Sequence, residues 1–183
     1  MSIKHVIFDC DGTLTDGHVV YGSVRSPHMA TNWIPLRSRT FYIPDGHGII
    51  NLRQRGIEVV IISSENDEHI VDRAHKLGCK AKLGVKEKEK IYSMLGINPD
   101  ECAYMGDDVN DLPAMKLAKI VACPYNVNQE VLDYICENWL VAGKHWTVGN
   151  QIRYRASTRG GHGAVREFCD MLLRDDGHLL RVD

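Results

Sequence analysis

Short apolar runs alternate with amphipathic stretches through most of the chain. Runs at 3–8, 58–62, 79–83, 102–105 and 120–122 are rich in β-formers, the first four followed at once by Asp9, Ser63, Gly84 and Gly106, and a weaker run lies at 139–142. Between them the apolar positions take a helical spacing. Ile70, Val71, Ala74 and Leu77 share one face, Ile91 and Leu95 stand behind the charged run 86–90, and Leu112, Met115 and Ala118 form a third stripe. Strand, helix, strand in this order predicts an α/β fold, a doubly wound parallel sheet with helices on both faces. In such sheets ligands bind beyond the carboxyl ends of the strands. Segment 17–44 breaks the rhythm. It carries Pro27, Pro35 and Pro44 and is flanked by β-like runs at 18–21 and 40–43, which predicts a β-hairpin flap with a long tip after the first strand. The hairpin either roofs the site or is a solvent-exposed excursion. The expected organisation is one domain over 1–183, with this insertion at about 17–44 and a C-terminal helix and tail at about 162–183.

Composition narrows the picture. With 44% apolar and 25% charged residues in 183, the chain can bury a substantial core, which excludes global disorder. Twenty-two Lys and Arg against 24 Asp and Glu give a formal charge of −2, so no general attraction to nucleic acid is expected. The six cysteines (Cys10, Cys79, Cys102, Cys123, Cys136, Cys169) form no C-x-x-C pair and no Cys/His ligand spacing, which argues against structural zinc and reads as reduced thiols of a cytosolic protein. No stretch approaches the apolar length of a membrane span. A cytoplasmic protein without a membrane partner is expected.

The candidate chemistry sits at the ends of the apolar runs. The first ends in Asp9-Cys10-Asp11-Gly12-Thr13, and strand geometry turns Asp9 and Asp11 to the same side. Two carboxylates held that close repel unless a cation or a shared proton relieves them. The fourth run ends in Gly106-Asp107-Asp108-Val109-Asn110-Asp111. Neighbouring strand ends would therefore gather several hard oxygen ligands, which suits Mg²⁺; alternatively Asp108 and Asp111 cap the following helix. The second run ends in Ser63-Ser64-Glu65, either an anion cradle or helix caps. Of Lys86, Lys88 and Lys90, one can reach inward to a phosphate while the others belong to a solvated face, and spacing alone does not choose. Neither a P-loop nor a G-x-S-x-G elbow occurs.

Taken together, D-x-D-G-T, a Ser closing the second strand, a Lys and G-D-D-x-x-D, in this order over residues 8–111, resemble the haloacid dehalogenase superfamily of phosphatases. The resemblance implies Asp9 as nucleophile, Asp11 as general acid/base, and Ser63 and Lys88 as the residues that hold the phosphoryl group. It implies Mg²⁺ bound by Asp9, the backbone carbonyl of Asp11, and Asp107. Asp108 and Asp111 would be supporting acids, with Asp108 nearer the metal's waters.

Little chain separates the motifs, so no large cap domain fits between them. The hairpin or a neighbouring subunit must then complete the site. Asp11-Gly12-Thr13-Leu14-Thr15-Asp16-Gly17, Asp45-Gly46-His47-Gly48-Ile49 as a turn into a helix, and Arg159-Gly160-Gly161-His162-Gly163-Ala164-Val165-Arg166-Glu167 are similar to segments of the capless, tetrameric phosphatases of 3-deoxy-2-ulosonic acid phosphates. That resemblance implies a homotetramer acting on a phosphorylated sugar acid, an octulosonate 8-phosphate or a nonulosonate 9-phosphate. It also implies substrate contacts from Asp45, Glu65, Arg73, Lys76 and His162. The Gly160 to Gly163 loop could offer backbone N–H groups to an anion or simply form a tight turn. Arg73 and Lys76 are alternatively solvent-facing helix residues. The rival functional readings are a phosphatase of another small metabolite and a degenerate domain kept as an oligomerisation or regulatory module.

Overall fold

The computed structural model describes residues 3–25, 33–136 and 142–174. The chain opens with β1 (His5–Asp9), followed by a wound turn over Cys10–Leu14, then β2 (Val20–Arg25), β3 (Trp33–Ser38) and α1 (Ile43–Gln54). Next come β4 (Glu58–Ile62), α2 (Glu68–Leu77), β5 (Lys80–Lys82), α3 (Ile91–Leu95), β6 (Cys102–Met105), α4 (Leu112–Met115) and β7 (Ile120–Cys123). The last elements are α5 (Gln129–Ile135), β8 (His145–Val148), β9 (Gln151–Arg155) and α6 (Ala164–Arg174).

Among the described residues seven strands form one sheet in the order β5-β4-β1-β6-β7-β9-β8, parallel except for β8 on the edge. The strands are apolar on both sides because both faces are covered. Val6 and Phe8 of β1 and Val59 and Ile61 of β4 pack with residues of α1, α2 and α6, whereas Ile7, Val60 and Ile62 pack with residues of α3, α4 and α5. Phe8 is fully buried, edge-on to Phe168 at 6.3 Å; burial of such a ring contributes about 2–3 kcal/mol. The chain winds from β1 to β4 and β5 on one side, then returns to β6 on the other. This reversal opens a crevice at the carboxyl ends of β1 and β6.

The doubly wound sheet is as expected, with local differences. Val71 does not share the buried face of Ile70, Ala74 and Leu77; it is 43% exposed. The hairpin exists as a separate antiparallel pair, but its strands are Val20–Arg25 and Trp33–Ser38, and Ile43 already begins α1. Asp45-Gly46-His47-Gly48 therefore lies in the first turns of α1 rather than in a turn before it. Of the weak strand at 139–142, residues 139–141 lie outside the described residues. The hairpin β8–β9 was not expected. Its signal was Gly149-Asn150 flanked by Trp146 and Val148 on one side and Ile152 and Tyr154 on the other, a turn dipeptide inside an alternating pattern.

Candidate active site

β1 and β6 are adjacent and in register through Phe8 and Met105, so Asp9 and Asp107 emerge from neighbouring strand ends. The turn after β1 brings Gly12 (φ +92°) under Asp107 so closely that a Cβ there would lie 2.1 Å from its Oδ2. Only glycine accepts both the left-handed backbone and the contact. Thr13 Oγ1 donates to Asp107 Oδ1 at 3.0 Å. Carboxylate oxygens of Asp9, Asp107 and Asp111 all lie within 4.8 Å of one another.

Lys88 stands among them, 2% exposed, its Nζ 2.5 Å from Asp9 Oδ1 and 2.8 Å from Asp111 Oδ1. Lys86 and Lys90 are exposed, so of the three it is Lys88 that turns inward. Asp111 is fully buried and saturated: it accepts from Lys88, from Tyr104 Oη at 2.6 Å, and from the amides of Asp107 and Asp108 at 3.1 and 3.2 Å. Burial, and then the nearby Asp111 carboxylate, raise Asp9 well above the usual aspartate range despite Lys88. Asp107 is pushed up to about 7 by burial and by Asp111. Burial works against the Lys88 charge, but Asp9 and Asp111 outweigh it and its pKa rises. One ammonium therefore faces three carboxylates, and the deficit of positive charge falls at Asp9 and Asp107. An all-oxygen donor set short of positive charge fits a hard divalent cation such as Mg²⁺.

On the other side of Asp9 stands Asp11, its carboxylate gripped by Arg39, with Nε 2.7 Å from Oδ1 and Nη2 3.4 Å from Oδ2. Arg39 also pairs with Asp67, the buried residue that caps α2 through the amide of His69. Sequence reasoning left Arg39, Asp67, Thr13 and Tyr104 out of the site. For Arg39 the available signal was its place where the hairpin returns toward the sheet. Ser63, buried at the end of β4, has its Oγ 3.5 Å from Asp11 Oδ2 and accepts from the amide of Glu65. Asp9, Asp11, Ser63, Lys88, Asp107 and Glu65 meet around a pocket of about 200 Å³. A larger cavity of about 500 Å³, lined by His145, Tyr154, Glu167 and Arg174 among others, shows no comparable convergence.

The structure thus brings Asp9, Asp11, Ser63, Lys88 and Asp107 together. The two acids expected to support the site take different places. Asp111 joins the carboxylate cluster, whereas Asp108 is exposed and caps the turn Val109–Asp111 through the Val109 amide at 2.8 Å, while also reaching the pocket rim. Of the substrate contacts, Glu65 lines the pocket. Asp45 is instead buried between α1 and α6, where its Oδ1 accepts from the amide of Arg166 at 2.8 Å. Arg73 packs over the Phe41 ring and against Gly46. Lys76 and His162 are exposed, and the His162 ring lies 3.0 Å from its neighbour Gly160's carbonyl. The amides of the glycine loop are already used. Gly160 donates to Asn126, Gly161 to Thr13 and His162 to Arg159, and Gly163 reaches Asp45. The loop buttresses the turn after β1 and has no amides left there for an anion.

Comparison with known proteins agrees with this geometry. A family model described as haloacid dehalogenase-like hydrolase matches residues 46–119. The 3-deoxy-D-manno-octulosonate 8-phosphate phosphatase of Haemophilus influenzae is 33% identical over 181 residues, covering 96% of this chain and 86% of that protein. The corresponding phosphatase of Escherichia coli K12 is 30% identical, covering 97% of this chain and 83% of that protein. Among solved structures, the phosphatase of this name from Moraxella catarrhalis, in complex with magnesium ion, phosphate ion and KDO, is 27% identical with a TM-score of 0.74, over 97% of this chain and 89% of that one. The cobalt-bound enzyme of Haemophilus influenzae is 30% identical with a TM-score of 0.70, over 97% of this chain and 91% of that one. The chain belongs to the haloacid dehalogenase-like hydrolases. Within that family it is a phosphoric monoester hydrolase; phosphatases of the family use Mg²⁺, and the Asp9, Asp107 and Asp111 cluster could bind such an ion.

Proposed function

We propose that this protein hydrolyses the phosphomonoester of a 3-deoxy-2-ulosonic acid phosphate, of the octulosonate 8-phosphate type, through an aspartyl-phosphate. The observation that carries the proposal is the meeting of Asp9, Lys88 and Asp107 with Ser63 in one pocket at the strand ends. Asp9 attacks phosphorus in line with the sugar oxygen. Its carboxylate and the phosphate dianion repel each other, so Lys88 and the Ser63 hydroxyl must hold the phosphoryl oxygens as the new bond forms. Mg²⁺ held by Asp9, the Asp11 carbonyl and Asp107 would supply the remaining positive charge and polarise a phosphoryl oxygen. Asp11, oriented by Arg39 and carrying a proton at the start of the cycle, gives that proton to the departing sugar oxygen. It then takes one from the water that cleaves the acyl-phosphate, which releases inorganic phosphate and restores Asp9.

A nonulosonate 9-phosphate is the second reading, favoured by Ser64-Glu65 after Ser63, which puts a carboxylate at the pocket mouth. The same proposal includes a single catalytic domain over 1–183, a homotetramer and a cytoplasmic location; no helix among the described residues is long and apolar enough to cross a membrane. The test is steady-state kinetics with octulosonate 8-phosphate, nonulosonate 9-phosphate and hexose phosphates, with Mg²⁺ and with chelator. We expect a preference for an ulosonate ester, loss of turnover on chelation, and a fall of about four or more orders of magnitude in Asp9→Asn. Equal turnover of hexose phosphates would discard the substrate class, and an active Asp9→Asn would discard the covalent route.

A further inference from the structure

Beside the catalytic pocket lies a second one of about 240 Å³. The two share Asp11 and Glu65, and the rest of the second lining is Val19, Tyr21, Arg37 and Arg39. The pairing of β2 with β3 explains this lining. Tyr21 lies opposite Arg37 and Arg25 opposite Trp33, so these residues share one face of the hairpin. Val24 opposite Ile34 and Leu36 opposite Gly22 belong to the other face. The face turned to the pocket is cationic and aromatic, and the one turned away is aliphatic.

We propose that the second pocket receives the leaving group and that Arg37 binds its carboxylate, which makes Arg37 a specificity-determining residue. The inference rests on the phosphatase reading above and adds to it the part of the chain that recognises an acid rather than a neutral polyol. Asp11 is common to both pockets, as a general acid must be if the scissile oxygen lies between phosphorus on one side and the sugar on the other. The charge of Arg39 is committed to Asp11 and Asp67. Among the described residues Arg37 has no such ion pair. Its guanidinium stands 5.3 Å from the centre of the Tyr21 ring, and its backbone carbonyl is tied to the His69 ring at 3.2 Å. A guanidinium over an aromatic face keeps N–H donors available for bidentate pairing with a carboxylate. Glu65, at the junction of the two pockets, accepts hydroxyl donors and repels a second carboxylate. It therefore directs the acid end of the leaving group away from the phosphoryl site and toward Arg37.

The experiment compares wild type, Arg37→Gln and Arg37→Lys on octulosonate 8-phosphate and on ribose 5-phosphate, a hydroxylated ester without a carboxylate. In Arg37→Gln we expect KM for the acid to rise on the order of tenfold, the scale of one charge-assisted pair. KM for ribose 5-phosphate and both kcat values should stay within about twofold, the lysine variant should fall between, and melting temperature and light scattering should match wild type. If wild type prefers the acid and Arg37→Gln keeps that preference, or loses both substrates equally, the assignment of Arg37 is overturned while the phosphatase reading stands. If wild type itself shows no preference for the acid, the sugar-acid reading fails and this inference fails with it.

Discussion

Lys88 shows how one buried side chain serves both stability and chemistry. Its ammonium offsets two carboxylates that burial would otherwise make untenable, and removing one partner of such an arrangement typically costs about 3–5 kcal/mol. Asp45 lacks that compensation. Its Oδ1 accepts from the amide of Arg166 and the Gly163 amide also reaches the carboxyl, but burial outweighs both amides, Arg73 and His162 and raises its pKa from 3.8 to about 6. The native state thus holds the Asp45 proton over a pH range in which the unfolded chain has released it. Stability falls as pH rises from about 4 through about 6, and the loss is complete above that window, at up to about 3 kcal/mol. Asp45→Asn keeps the acceptor for Arg166 and cannot ionise. Urea unfolding at pH 5 and pH 8 should show the variant more stable than wild type at pH 8, with the gap narrowing at pH 5. A gap that is equal or wider at pH 5 would contradict the account.

Among the elements, the loop from Arg159 to Gly163 shapes the site without entering it. A Cβ on Gly160 would lie 1.7 Å from the carbonyl oxygen of Gly12, and one on Gly161 2.4 Å from the amide of Asp16, so the loop rests backbone to backbone on the turn that carries Asp11. Gly160→Ala must displace that turn or the loop. We expect it to lower kcat by about tenfold or more, with a stability loss of about 1–3 kcal/mol. Gly149→Ala provides the contrast. It sits in a left-handed turn with nothing within 4 Å, so urea unfolding should show a modest loss and kinetics no change. Equal kcat values for the two variants would mean that the loop does not position the turn. The glycines were legible in the sequence as a pattern, but whether their amides face a ligand or a neighbouring loop depends on contacts between residues 12 and 160, which no local pattern encodes. The central strands and the acidic strand ends were legible because apolar runs and hydrophilic ends follow directly from burial on both faces. Arg39 was not, because its partners Asp11 and Asp67 meet only once the hairpin has folded back. For Asp45 and Arg73 the resemblance implied substrate contacts, and the sequence alone carries no mark of which way their helices face.

At the scale of the whole molecule the hairpin presents a surplus of apolar surface. Val20, Val24, Ile34 and Leu36 lie on the face turned away from the second pocket and are 47–60% exposed, in a two-stranded ribbon that, among the described residues, forms no ladder with the main sheet. A two-stranded ribbon is marginal on its own, and a contiguous aliphatic face in water favours association. Packing these faces together around a closed symmetry would bury them and hold each hairpin over its own catalytic pocket, which is the physical case for the proposed tetramer. Light scattering at micromolar concentration should therefore give a particle of four 20.6 kDa chains. Leu36→Asp, which introduces a charge on that face, should shift the population to smaller species. Asp9, Asp11, Ser63, Lys88 and Asp107 all come from one chain, so the dissociated variant should keep most of its kcat on ribose 5-phosphate. It should lose selectivity for the sugar acid, because an unsupported hairpin no longer fixes Arg37 and Tyr21. A wild-type monomer at that concentration would overturn the assembly, and a dissociated variant with undiminished selectivity would show that each hairpin holds its own shape.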